Sequence, residues 1–416
     1  MSRGRVAVIG AGVVGAMSAL HLSRAGYEVT VVDRGTVGGG CSHANCGYVS
    51  PSHVLPLATP EAFWSSLRAM LSKNSPLKIV PRLDSALWGF LIRFARRCNT
   101  RDMLASAAAI RPLLASSREL YPRLIEEERI DCEWEAKGLL FVFKSEPAFE
   151  HYAHIDELLT TRFATPATRY AGEALTALEP ALRPGLAGAY HYEGDAHLRP
   201  DRLMSGLHEV LLRHRVEIRS GCDLTEFVKV GSTATAIRTS QGDIEADAFV
   251  LATGAWTPLV GGQLGCRIPI QPGKGYSITM ARPARSPKIP MIFEEDRVAV
   301  TPFRSGYRIG STMEFGGYNT SLNPARIQLL RDRAKPYMHE SEGEPITEKW
   351  FGFRPMTPDS LPLIGATPAM GNVWLAAGHN MLGLSMAPAT GRLIAEMIGG
   401  DTPHIDPAPY SAKRFG

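Results

Sequence analysis

The chain opens on a short apolar run, Val6-Ala7-Val8-Ile9, closed by Gly10. That is the pattern of a strand buried on both faces of a parallel sheet. Over residues 13–25, Val14, Ala16, Leu20 and Leu22 recur at helical spacing, and Gly26 stands where a helix C-cap belongs. Residues 28–33 (EVTVVD) read as a second strand, completing a βαβ unit. Further on, 61–72 and 85–128 predict helices, 137–144 a strand, and 202–215 an amphipathic helix followed by the strand EIRSGC. Residues 224–251 alternate apolar and polar through two strands joined by Gln241-Gly242, ending in the buried run AFVLATG. Between 268 and 312 the pieces RIPIQP, GYSITMA, RVAVTPF and YRIGST follow one another closely and predict an antiparallel sheet. The stretch 373–398 reads as strand, glycine loop and helix, and no internal repeat or low-complexity segment interrupts the chain.

Composition narrows this picture. A length of 416 residues exceeds one ordinary core and predicts two or three lobes. With 44% hydrophobic and 21% charged residues the chain has the make-up of a globular enzyme. A net charge of +4 is too small to argue for a nucleic-acid partner. The six cysteines, at 41, 46, 98, 132, 222 and 266, form no CxxC pair, and no histidine completes a zinc spacing. No metal is expected, and scattered thiols suit a reducing compartment. The first residues lead straight into a strand without a signal-peptide pattern, and no apolar run is long enough to span a bilayer. A cytoplasmic location is the expectation.

The first loop carries chemistry. Gly10-Ala11-Gly12-Val13-Val14-Gly15 is a GxGxxG with a strand before it, a helix after it and an acid, Asp33, closing the next strand. Gly10 allows the tight turn, Gly12 lets backbone approach a pyrophosphate, and Gly15 lets helix and strand pack closely. The helix N-terminus, at Val13 and Val14, faces the phosphates. Asp33 is placed to accept from ribose hydroxyls. Arg34 can suit a 2′-phosphate, yet by itself does not choose between nicotinamide and flavin dinucleotides.

From residue 35 onward the chain resembles the FAD-dependent D-amino-acid oxidase superfamily. Ser42-His43-Ala44-Asn45-Cys46-Gly47 is similar to its second flavin motif, and Ala252-Thr253-Gly254-Ala255-Trp256 to its ATG motif. Trp350-Phe351-Gly352-Phe353-Arg354-Pro355-Met356-Thr357-Pro358-Asp359 is similar to its W-x-G-x-R-P-x-T-P-D signature. Gly378-His379-Asn380-Met381-Leu382-Gly383 is similar to its last glycine loop. KGYSIT at 274–279 and the RPMTPD string look closest to the small-subunit type of bacterial D-amino acid dehydrogenase. The resemblance implies an α/β fold: a discontinuous Rossmann-type FAD domain (1–85, 166–267 and 341–416) with an interleaved substrate domain on an antiparallel sheet (86–165 and 268–340). It implies cofactor contacts at the first loop, Asp33, Arg34, Ser42, His43, Asn45, Gly47, Leu224, Ala252, Thr253, Gly254, Gly378, Asn380, Met381, Leu382 and Gly383. No cysteine follows 266 near the TPD string, so non-covalent FAD is expected, with His43 the less favoured point of attachment.

The implied reaction moves a hydride from Cα of an amino acid to flavin N5 and leaves an imine that water hydrolyses. Arg354, at the RP position, is the expected fork for the substrate carboxylate. Tyr276 is a second carboxylate or lid candidate, weighed against ordinary packing in a sheet. His379 and Asn380 are expected to face flavin or substrate. Asn380 replaces a glycine of the dehydrogenase branch, and Met381 an arginine of some glycine-oxidase-like relatives. Tyr48 and His53 are read mainly as core or surface. Asn380 and the stretch 194–200 motivate cyclic substrates such as D-proline or hydroxy-D-proline. The implied partner is an electron acceptor such as quinone. The piece 86–98, with Trp88, Phe90, Ile92 and Phe94 among Arg93, Arg96 and Arg97, has two readings: a helix dipping into a membrane interface, or a core helix with a charged outer face. The competing functions are a peroxide-forming glycine- or sarcosine-type oxidase and a flavin-bearing subunit active only in a hetero-complex.

Overall fold

The computed structural model describes residues 2–61 and 75–416, so all but the first residue of the helix expected over 61–72 lies outside the described residues. The opening apolar run forms the strand Arg5–Ile9 in the middle of a six-stranded sheet. The order across that sheet is Leu363–Ala366, Val373–Ala377, Ala248–Leu251, Arg5–Ile9, Glu28–Asp33 and Glu217–Ser220. All neighbours run parallel except the edge strand Leu363–Ala366. On one face lie the helices Val13–Arg24 and Gly383–Gly399, their apolar sides meeting through Met17, Leu20, Ala389 and Leu393. They cross closely: a Cβ at Gly391 would stand 2.6 Å from the Met17 carbonyl. On the other face a three-stranded meander (Leu224–Val230, Thr233–Thr239, Gly242–Glu245) covers Ala7, Ile9, Phe249 and Leu251 with Phe227 and Ile237. The stretch 224–251 thus holds four strands, where the sequence indicated two joined at Gln241-Gly242 and a third in the buried run AFVLATG. An extra reversal at Gly231, at a φ of 62°, leaves the in-out alternation running on across the turn.

The second sheet has nine strands. Its order is Ile346–Met356, Gln271–Met280, Gly306–Phe315, Val298–Phe303, Met291–Phe293, Leu139–Phe143, Gly188–Tyr192 and Thr168–Tyr170, with Leu77–Ile79 beside Gly306–Phe315. Pairing is antiparallel apart from two parallel contacts, Met291–Phe293 with Leu139–Phe143 and Leu77–Ile79 with Gly306–Phe315. The pairing cuts across the expected domain division, since 168–192 and 346–356 join this sheet although the sequence groups them with the cofactor unit. One face is closed by the helix Pro324–Ala334, which buries Ile327 and Leu330 against Ile278, Val300 and Ile309. A short antiparallel pair, Tyr48–Val49 with Ala196–His197, buries Val49 and Ala196 in a core shared by Val8 of the first sheet and Phe141 of the second. The stretch 85–128 is two helices: Asp84 caps Ser85–Arg97 through the N–H groups of Ala86 and Leu87, and Asn99 caps Thr100–Glu127.

Candidate active site

Four parallel strands end on the same edge of the first sheet, and each delivers a loop there. Gly10 follows Ile9, Asp33 ends its strand, Ala252 follows Leu251 and Gly378 follows Ala377. Ligands of open α/β sheets bind at this carboxyl edge. Gly10 turns at a φ of 105°, and a Cβ there would lie 2.4 Å from the Ala252 carbonyl oxygen. A Cβ at Gly15 would lie 1.8 Å from the Gly10 carbonyl oxygen, so helix and loop touch where only glycine fits. Asp33 accepts from the N–H groups of Ala11 (2.6 Å) and Gly35 (2.7 Å), which holds its carboxylate against the turn. Two accepted bonds leave lone pairs for a further donor. Leu224 packs beside this strand, where Cys222 N–H donates to the Asp33 carbonyl. Arg34 is drawn sideways, its guanidinium 3.9 Å over the Trp256 ring. Ala252 N–H donates to the Ile9 carbonyl, and Gly254 turns at a φ of 56°.

The second motif is held against this edge from both sides. Ser42 Oγ accepts from Val13 N–H at 2.9 Å, placing the motif at the helix N-terminus. Asn45 closes its own turn by accepting from Gly47 N–H at 2.9 Å. Ser277 and Thr301 donate to the carbonyls of Ala44 and Cys46, both at 2.7 Å. Arg308 was not singled out by the sequence. It is buried, donates to the Asn45 carbonyl (2.8 Å) and Thr279 Oγ1 (2.9 Å), and sits 3.5 Å from Asp201. His43 points away to Glu348, at 2.8 Å. That bond raises the imidazole's pKa and lowers the carboxyl's.

Arg354 lies opposite Gly273 in the strand pairing and reaches back over the neighbouring strand. Its guanidinium fills the space beside Gly275, where a Cβ would come within 2.5 Å of it. Nη1 donates to the Thr312 carbonyl at 2.6 Å, and Met313 Sδ is 3.7 Å away. Among the described residues no carboxylate pairs with it, and burial lowers its pKa. A guanidinium has five donors. Most of this fork is therefore free for an anion that the protein does not itself supply.

The other candidates are placed differently. Tyr276 is separated from Arg354 by the sheet itself: Gly275 faces the guanidinium, and the next side chain falls on the opposite face, in the core under Pro324–Ala334. It is a packing residue there and is corrected as a carboxylate contact. His379 is buried and bonded at 3.0 Å to Thr390, and burial pulls its pKa down to about 3, so its ring is a neutral inward anchor and not a group facing substrate. Asn380 has a φ of 53°, the left-handed conformation glycine adopts readily. Its side chain accepts from Thr357 N–H (2.8 Å) and donates to the Gly378 carbonyl (2.9 Å), fastening the last glycine loop to the RPMTPD turn. Met381 is exposed, while Leu382 and Gly383 start the long helix without a side-chain cap. The stretch 194–200 is a strap: Asp195 is buried and accepts from Ser52 N–H (3.0 Å) and Oγ (2.5 Å). Tyr48 places its hydroxyl 2.9 Å from the carbonyls of Met291 and Val300, and the His53 ring rests 5.3 Å from that of Phe141. No cluster of side chains suited to a metal is found among the described residues.

The glycine cradle, the helix N-terminus behind it and the acceptor at Asp33 fit a dinucleotide with a pyrophosphate. Comparison with known proteins agrees. The family model described as FAD dependent oxidoreductase matches residues 5–397. The D-amino acid dehydrogenase of Paramagnetospirillum magneticum is 35% identical over 99% of both chains, and that of Granulibacter bethesdensis 34% over 99% of both. Glycine oxidase from Geobacillus kaustophilus superposes with a TM-score of 0.81 at 22% identity, covering 100% of this chain and 99% of its own, a likeness of fold. The chain belongs to the FAD-dependent oxidoreductase family, and FAD is its cofactor.

Proposed function

We propose that the protein is a D-amino acid dehydrogenase in which Arg354 binds the substrate's α-carboxylate. The observation that carries the reading is the half-buried guanidinium with most of its donors unused and, among the described residues, no carboxylate paired with it. A half-buried cation without a partner leaves part of its desolvation cost uncompensated, and a carboxylate arriving with the substrate offsets that cost. The bidentate fit of guanidinium to carboxylate fixes how the substrate lies along the sheet face. Bound FAD supplies the two-electron acceptor for the Cα–H bond. The protein's part is to hold Cα in place, and the imine so formed is hydrolysed in water to a 2-oxo acid and ammonia. No enzyme base is assigned, because an amino acid bound with its amine deprotonated needs none. FAD is taken as held without a covalent bond: among the described residues Cys41 and Cys46 are half-buried thiols whose pKa values desolvation raises, and His43 is engaged with Glu348.

The named function of the relatives supports the D-configuration and dehydrogenase over oxidase. The substrate is taken as D-amino acids at large. Asn380 and the 194–200 strap spend their side chains on the protein itself, so D-proline and hydroxy-D-proline enter the reading as members of a panel. Electrons pass to a membrane-borne acceptor such as a quinone. The test is turnover of D- and L-amino acids, proline derivatives, glycine and sarcosine by the purified holoenzyme, with an artificial dye and with air. Dye reduction by D-substrates with little peroxide is expected. Peroxide from glycine or sarcosine would put the oxidase reading in its place, and no turnover would favour a subunit of a larger complex.

A further inference from the structure

The strand Gly306–Phe315 is kinked beside Arg354. Lys274 pairs with Glu314 and Tyr276 with Ser311, so the single residue Gly275 lies opposite two, Thr312 and Met313. That is a β-bulge, a device that re-aims groups next to active sites. The backbone is strained there: Ser311 has a φ of 109° and Thr312 one of 55°. Neither is glycine, and a β-branched residue such as threonine is strongly disfavoured at positive φ. Strain of this kind persists only where the surroundings hold it in place. Thr312 does not hold it with its own side chain, whose buried Oγ1 has no hydrogen-bond partner among the described residues.

What holds the kink comes from outside the strand. Across the trans peptide between Thr312 and Met313, the C=O and the N–H point in opposite directions. The Met313 N–H donates to the Pro76 carbonyl at 2.8 Å, and the Thr312 carbonyl accepts from Arg354 Nη1 at 2.6 Å. Where the Pro76 carbonyl stands therefore decides where the Thr312 carbonyl points. Pro76 is fixed in turn by Arg326, in the first turn of the helix Pro324–Ala334. The Arg326 guanidinium donates to the carbonyls of Ser75 (2.7 Å), Pro76 (2.7 Å) and Met313 (3.1 Å). It is 4% exposed, and Glu314 balances its charge from 3.7 Å. Hydrogen bonds from a charged donor are the strong ones, as the grip on a strained backbone requires. We propose that Arg326 is a positioning residue for the substrate: it clamps the bulge at Ser311–Thr312 and so sets the direction in which Arg354 meets a carboxylate. The inference rests on the reading of Arg354 as the carboxylate fork. Arg326 acts through Pro76, the Thr312–Met313 peptide and Arg354, and does not itself touch the substrate.

The test is dye-linked turnover of a D-amino acid by the holoenzyme. Arg326→Gln should raise KM about tenfold, with kcat changed less than about twofold and FAD retained, the split expected when binding loses its aim. Arg326→Lys keeps the charge but offers one ammonium to the three carbonyls, and should raise KM about threefold. It carries the test should Arg326→Gln fail to fold. A further substitution separates aim from general damage. Glycine adopts positive φ without strain, so Thr312→Gly, added to either Arg326 variant, should remove most of the rise in KM. Unchanged KM in both Arg326 variants would overturn the proposal. So would a rise that Thr312→Gly does not relieve, or loss of FAD from the Arg326 variants. Arg354→Lys, assayed alongside, keeps the two readings apart. If it left KM unchanged, the fork and this proposal would fall together; if it lost binding while the Arg326 variants did not, Arg326 alone would fall.

Discussion

At the dinucleotide end the site is walled by backbone, and at the end where the substrate is proposed to bind by side chains that strand register brings together. Gly10 and Gly15 are needed because carbonyl oxygens of Ala252 and Gly10 stand where their Cβ atoms would be. Gly275 is needed for another reason: what stands beside it is the mobile end of Arg354. A backbone wall cannot yield, while a guanidinium can shift at the expense of aim. The first end is thus specified by one βαβ unit and the parallel strand Ala248–Leu251 beside it, and the second depends on Ile346–Met356, Gln271–Met280 and Gly306–Phe315 meeting in one register.

The sharpest break in this comparison is Gly15→Val. Its side chain meets a carbonyl that cannot move, at a cost of about 3 kcal/mol or more. The purified protein should lose FAD, read as loss of visible absorbance, with binding weakened over about a hundredfold. Arg354→Lys should keep the yellow colour and lose about a hundredfold in kcat/KM for D-amino acids, because the charge remains and the fork does not. Gly275→Ala displaces the same guanidinium and should raise KM about tenfold with FAD retained. If Gly275→Ala instead released FAD, the two glycines would be doing the same work and the contrast would fail.

The seam between the regions gives a smaller, pH-dependent effect. Burial raises the pKa of Asp195 to about 7, while Ser52 donates to its carboxylate. The folded protein then holds a proton that the unfolded chain gives up in the ordinary carboxylate range. That contribution to stability is complete at acid pH and is lost as pH rises through about 7. The Tm should fall between about pH 4 and 7, and Asp195→Asn should flatten that slope. The smallest effect belongs to Tyr276→Phe. With its ring in the core on the far face of the sheet, kcat/KM should change less than about threefold, and a larger loss would return Tyr276 to the site.

What the residues revealed in advance follows the same division. Gly10–Gly15 and Asp33 are neighbours in sequence and meet by local geometry, so their spacing carried the prediction. The ATG turn and the last glycine loop were found by resemblance and fall on the same sheet edge. The face of a strand was harder. Gln271–Met280 is buried on both sides, so no polar alternation marks which side chains look toward Arg354, and a register shift falls between Lys274 and Tyr276. Tyr276 was misplaced for that reason. Arg308 left no signal because its partners, Asn45 and Asp201, lie far off in the chain. The strand Ile346–Met356 was visible only as a motif, its glycine and proline masking the strand pattern.

The account stands most directly on whether Arg354 meets a carboxylate. The measurement is anaerobic bleaching of the enzyme-bound flavin by a D-amino acid and by the amine of the same side chain that lacks the carboxylate, in the unaltered enzyme and in Arg354→Lys. Rapid bleaching by the D-amino acid alone, slowed about a hundredfold in the variant, is the result predicted. Equal bleaching by the bare amine, or by both enzymes, would contradict it.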